Sequence, residues 1–295
     1  MEYVKYFLML ILSDIIFSGY FALNKLYQRS EGTSMAAGFL FNTVSGLVTL
    51  IVFLAISGFC LEFTVLSCVF AFLQTIMMVI YTLLGFKLLK EGSITQYTLF
   101  LMIGGMTVPY VWGLLFLNEE FSWLRTFALL VILLGVAIAN FEKGKTNVKM
   151  LLMYIAVFVS NGFVSVISKI HQLESLKTVT VGAVSFIMLC SVFQTVICGI
   201  GFMLTRKNYG VTDEKRLSPG KILVVISGAA LMYGFSYLLQ LEGAAKLPAT
   251  VMYPVVTGGI IVFSTLLGAV AFREKLSAKL IISVCLCFVG TLMFL

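Results

Sequence analysis

Two stretches decide how this chain reads: 94-ITQYTLFLMIGGMTVPYVWGLLFLNEE-120 and 249-ATVMYPVVTGGIIVFSTLLGAVAFREK-275. Laid over each other at an offset of 155 residues, they bring Thr95 onto Thr250, Gly104 onto Gly259, Gly113 onto Gly268 and Glu119 onto Glu274 without a gap. The match runs back to Leu83-Leu84 and Leu238-Leu239, and forward to Gly135 and Gly290. A looser offset of 147 pairs Ser13-Asp14 with Ser160-Asn161 and Ser18 with Ser165. Self-similarity at a fixed spacing marks a chain built from repeats.

Composition says which solvent those copies face. Of the 295 residues, 60% are hydrophobic and 11% charged, where a soluble domain carries about 25% charged residues. A surface so poor in charge faces lipid. A bilayer core about 30 Å thick needs about 20 apolar residues of helix. Ten stretches qualify: Val4–Asn24, Ala36–Ser57, Leu66–Phe86, Ile94–Leu117, Leu124–Phe141, Met150–Ser168, Thr178–Leu204, Ile222–Leu241, Ala249–Phe272 and Ser277–Leu295. The first reads as a signal-anchor helix rather than a cleaved leader. The expected fold is therefore all-α, a polytopic membrane protein of ten transmembrane helices in two five-helix repeats, residues 1–145 and 146–295. Five is odd, so the second repeat enters the membrane in the opposite sense. Inverted repeats suit secondary transport, because two similar halves can exchange conformations around one mid-depth site.

Net charge is +7, which basic loops meeting lipid head groups account for without nucleic acid. Among the 20 Lys and Arg, only Lys5, Arg125, Lys169, Lys177 and Lys246 lie near the N-terminus or after even-numbered helices. The positive-inside rule then puts both termini outside. The six cysteines sit in or beside apolar runs and read as small packing residues, and the single histidine excludes a multi-histidine metal site. No phosphate-binding glycine loop and no nucleophile–His–acid set is present, so neither ATP-driven pumping nor enzyme chemistry is expected. No cofactor is expected.

Leu117-Asn118-Glu119-Glu120-Phe121 through Leu134-Gly135-Val136, with Phe272-Arg273-Glu274-Lys275-Leu276 through Val289-Gly290-Thr291, resembles the paired EamA-type repeats of the drug/metabolite transporter superfamily. Met252-Tyr253-Pro254-Val255-Val256-Thr257-Gly258-Gly259, with Glu274-Lys275-Leu276, also resembles the last helices of small multidrug resistance proteins. The resemblance implies a substrate cavity among helices one to four and six to nine, with helices five and ten at the periphery. It further implies cytoplasmic termini, against the charge count, so sidedness stays open.

Asp14 is the charged residue deepest inside a predicted span. A charge at the bilayer centre costs at least about 2.5–3.5 kcal/mol unless it is wet, paired or protonated. Asp14, Phe17, Ser18, Phe21 and Lys25 share one helical face, and Asn161, Val164, Ser165 and Ser168 repeat that stripe without the charge. Functionally, Asp14 binds a cationic substrate or exchanges a proton for it; structurally, it bonds neighbouring helices. The small multidrug resistance family likewise places an essential acid in its first helix. Gln74, Met78, Tyr81 and Gly85 on helix three, and Tyr233, Tyr237 and Gln240 on helix eight, offer aromatic and amide faces to a flat or cationic solute; interhelical packing or an interfacial belt explains them equally well. Asn42, Tyr110, Trp112 and Gln194 are weaker members of the same lining. Lys25 and Lys169 read as snorkelling anchors. Pro109 should kink helix four. Glu119 and Glu274 read as favouring the positive ends of the helices that follow them.

The expected function is a proton- or gradient-driven transporter of drug-like cations or metabolites in the inner or plasma membrane, with a homodimer left open. The alternatives are a carrier of neutral amino acids, nucleosides or sugars, for which Asn161, Gln74 and Gln240 matter more than the acid, and a non-transporting scaffold or membrane enzyme.

Overall fold

A computed structural model describes residues 2–91, 94–140, 148–177, 179–209, 217–272 and 277–294. Those residues form ten α-helices and no strand: α1 (Glu2–Glu31), α2 (Met35–Ile56), α3 (Val65–Glu91), α4 (Ile94–Phe116), α5 (Trp123–Asn140), α6 (Val148–Ser175), α7 (Ala183–Thr205), α8 (Pro219–Lys246), α9 (Ala249–Phe272) and α10 (Ala278–Leu292). One turn of 3₁₀ helix, Arg206–Asn208, follows α7. Long helices are the natural answer of an apolar chain without water, because each backbone N–H and C=O is then satisfied within its own segment. Eight of the ten are long and apolar enough to cross a bilayer, while α5 and α10 are shorter apolar helices. Their outward faces carry large exposed apolar side chains, such as Leu8, Leu12 and Ile15 on α1 and Leu223 and Val224 on α8. The protein is a multi-pass membrane protein.

Helix starts follow local chemistry. Ser34 accepts a hydrogen bond from Ala37 N and Ser277 one from Leu280 N, while Pro219 opens α8, where its missing N–H costs nothing. Several ends differ from the apolar windows. Helices α1, α3, α6 and α8 run on to Glu31, Glu91, Ser175 and Lys246, because a charged residue ends an apolar run without breaking a helix. Thr178, expected to open the seventh helix, lies outside the described residues, and α7 begins at Ala183.

The packing pairs helices from distant parts of the chain. Helix α1 lies against α8 and α9; α6 lies against α3 and α4; α2 pairs with α7, α4 with α9, and α5 with α10. Small residues allow these approaches. A Cβ on Gly104 would collide with the Phe158 backbone, one on Gly46 with Thr195 and Ser191, and one on Gly290 with Ile132 and Ala128. The first end of the bundle gathers the end of α1, the starts of α2 and α8, and Tyr209 around Tyr27, whose hydroxyl donates to Ala37 O at 2.8 Å. The second end holds the loops after α2, α4 and α6 and the two-residue α8–α9 turn.

Candidate functional site

A polar group inside lipid must find a partner or serve a purpose, so the buried polar residues map the site. Gln74 on α3, Ser168 on α6 and Tyr237 on α8 meet in one cluster. Gln74 Nε2 donates to Tyr237 Oη at 2.6 Å, Ser168 Oγ donates to Gln74 Oε1 at 3.0 Å, and the two hydroxyls lie 2.8 Å apart. Beside them lies a hollow bounded by α2, α3, α6, α7 and α8, lined by Gln74, Met78, Cys190, Gln194, Tyr233 and Tyr237 among others. It leaves about 20 Å³ open to the centre of a water molecule, room for one or two waters. No charged residue is among the described residues that line it.

Four residues expected at the site thus do share it: Gln74, Tyr233, Tyr237 and Gln194. Gln194 Nε2 also donates to Asn42 O at 3.0 Å, which brings Asn42 to the margin, its own amide bonded back to Gly38 O. Rings continue from the hollow toward the first end. Tyr237 stacks on Tyr233 (centroids 5.9 Å, 21°), which touches Tyr20 at 5.4 Å and Phe17 at 5.9 Å. Tyr81 packs beside the Leu88–Tyr154 cluster with Tyr97 and is not a lining residue.

The other expected residues make helix-to-helix bonds. Gln240 Nε2 donates to Ser13 Oγ at 3.0 Å and Ser236 Oγ at 3.3 Å, joining a reciprocal serine pair that ties α1 to α8. Asn161 Nδ2 donates to Leu101 O at 2.7 Å and Ser165 Oγ to Gly105 O at 3.4 Å, tying α6 to α4. Tyr110 is buried and shares a hydrogen bond with Thr126 of α5 at 2.8 Å. Trp112 packs on Phe116 and Phe163. Ser18 Oγ donates to Asp14 O within α1 at 2.7 Å. Asp14 itself is 1% exposed and does not line the hollow; it faces Gly259 of α9, where an added Cβ would strike Oδ2.

Two charged residues lie elsewhere than the sequence implied. Lys169 does not snorkel: it is 4% exposed, and Nζ donates to Ala244 O at 2.7 Å and Leu247 O at 2.6 Å, capping the end of α8. Glu119 does not serve the helix after it. Its carboxylate accepts from Ala249 N at 2.6 Å and Thr250 N at 2.8 Å, capping α9. The two grip opposite sides of the turn Leu247-Pro248, as helix ends with orphan carbonyls and orphan N–H groups invite. Glu274 lies outside the described residues. Nearby, His171, fully buried, sits between Ser67 Oγ and Gln172 Nε2 at 3.1 Å each and stacks on Phe186 at 3.6 Å, while Ser67 Oγ accepts from Val181 N at 3.0 Å. The unbroken helical phase of Ile167 and Ile170 through Gln172 was the available sign that Lys169 and His171 lie inside the helix.

No family model and no curated protein matches the chain. Among solved structures, a crystal structure of a protein superposes with a TM-score of 0.74 at 15% identity, over 98% of this chain and 96% of its own. At that identity the likeness is one of fold.

Proposed function

We propose that the protein is a secondary active transporter of small organic molecules, built from ten membrane spans as two inverted five-helix repeats that expose the hollow beside Gln74 and Tyr237 to each side in turn. The observation that carries this reading is the hollow itself. An uncharged hollow surrounded by five long apolar helices, mostly apolar in its lining, offers ring faces, carboxamides and a hydroxyl to a solute. The helix pairing supports the inverted repeats: exchanging each helix for the one five places on turns the α1–α8 contact into α6–α3, and α1–α9 into α6–α4. The resemblance to EamA-type repeats agrees with this reading, as does an inner- or plasma-membrane location.

The lining favours neutral or aromatic solutes over a cation held by an acid, because Asp14 stands outside it; an organic cation would rest on the faces of Tyr233 and Tyr237. In the present conformation the hollow is far smaller than a metabolite, so the bundle has to open for one to enter.

Purified protein in proteoliposomes tests the proposal. Gradient-dependent uptake of some member of an amino acid, nucleoside, sugar and organic-cation panel is expected, with about tenfold weaker apparent affinity in Tyr237→Phe. Flux with none of these classes, under either a proton or a sodium gradient, rejects transport.

A further inference from the structure

Two helix crossings in this bundle match in sequence and differ in chemistry. In one, α6 crosses α4: Asn161 meets Gly105, and its amide donates to Leu101 O one turn before that glycine. In the other, α1 crosses α9: Asp14, which pairs with Asn161 along the chain, meets Gly259, the counterpart of Gly104. The side chains are the same size. What differs is the donor, since an amide carries N–H groups and a carboxylate only accepts.

Asp14 needs a donor and has none. Among the described residues, neither Oδ1 nor Oδ2 has a hydrogen-bond partner, though both are sealed from solvent. No charged or titratable side chain among the described residues compensates. The titratable groups on the helices packed against α1 are Lys221, Tyr233, Tyr237, Glu242 and Lys246 of α8 and Tyr253 of α9; those of α1 itself include Lys5, Tyr6, Tyr20, Lys25, Tyr27, Arg29 and Glu31. None of them bonds to the Asp14 carboxylate. Gly259 approaches so closely that an added Cβ would strike Oδ2, and both carboxylate oxygens are buried from solvent. An unpaired carboxylate in such a place is costly, whereas a neutral carboxyl gains the O–H donor that Asn161 has as N–H.

We infer that Asp14 is a proton-binding site separate from the substrate hollow, whose neutral form clasps α1 to α9 by donating to a carbonyl one turn before Gly259, Val255 or Val256. Losing the proton turns donor into acceptor, removes the bond and leaves two acceptors face to face, so α1 moves off α9. Because α1 also carries Phe17 and Tyr20 against Tyr233, that movement reaches the wall of the hollow. Proton and substrate therefore act at different places, and their coupling passes through α1. This deepens the transport reading, yet the proton site has a readout of its own.

The test uses full-length protein in liposomes and two measurements. Infrared difference spectra between acid and alkaline conditions should contain a protonated-carboxyl band that is lost in Asp14→Asn. Alkylation of Cys190, a lining residue, followed by mass spectrometry, should change with pH about tenfold more in wild type than in Asp14→Asn, where only ionisation of the thiol itself remains. The variant should fold, since Asn161 already occupies the equivalent crossing; Asp14→Ser serves as a second variant, lacking the band and the excess pH response alike. Should Asp14→Asn keep the band, or label Cys190 with the wild-type pH dependence, the inference is overturned. If the band belongs to Asp14 but no solute is ever transported, the transport reading fails and the proton site stands.

Discussion

At the second end of the bundle, Lys169 and Glu119 hold the α8–α9 turn by its backbone, whereas toward the first end the flank of the hollow is filled by the rings of Tyr20, Phe17 and Tyr233. The two closures obey different physics. A charge-assisted bond to a helix terminus is directional, and buried, it is either made or lost at the cost of an uncompensated charge. Ring contacts at centroid separations of 5 to 6 Å have shallow, broad minima, so rings slide past one another at small cost. Farther out the first end is tied as well, by Tyr27 Oη to Ala37 O and Leu217 N to Ser30 Oγ. The contrast therefore concerns the flanks of the hollow: on the transport reading proposed above, the bonded turn would be the hinge side and the ringed flank the side that yields first.

The sharpest way to break that assignment is to remove the grip. Lys169→Met should lower stability by about 3 kcal/mol, because two carbonyls at the end of α8 lose a charged donor inside a membrane protein; reversible unfolding in mixed micelles measures it. Glu119→Ala should follow at about 2 kcal/mol for the loss of a two-pronged helix cap, with Glu119→Gln regaining about half because its amide keeps one acceptor. Tyr237→Phe comes next, at about 1 kcal/mol, near the upper range for a polar contact between membrane helices. Tyr233→Phe should lie within about 0.5 kcal/mol of wild type, since ring contacts survive and the hydroxyl bonds no described residue. Were Tyr233→Phe to cost as much as Lys169→Met, the division into a bonded end and a yielding end would be wrong.

The same two regions mark how far sequence could lead. The order and number of helices were legible because apolar length is a direct consequence of bilayer thickness. Gln74 of α3 with Tyr233 and Tyr237 of α8 were legible from helical spacing, although Tyr81 and Gln240 share that spacing and lie outside the hollow. Apart from Gln194, the α2 and α7 walls were not. Thr49, Cys190 and Ser191 are small residues that any apolar helix carries, and Ser191 bonds only to its own helix, to Ile187 O. Lys169 and Glu119 were visible as charges, but their roles were not, because each caps a helix 75 or more residues away. A window that stops at the first lysine cannot see a lysine that stays buried. For Asp14 the sequence supplied the partner residue, Asn161, and only packing showed that the acid turns toward a glycine of α9 rather than toward the tyrosines.

The narrowness of the hollow has a kinetic meaning. On the transport reading proposed above, a conformation with room for one or two waters is not the one that captures a solute, so observed affinity would be the intrinsic affinity reduced by the fraction of molecules caught ajar. Association should accordingly level off at high solute concentration, limited by a unimolecular step belonging to the protein. A substitution that props the bundle open should then tighten every ligand by the same factor, whatever that ligand's shape.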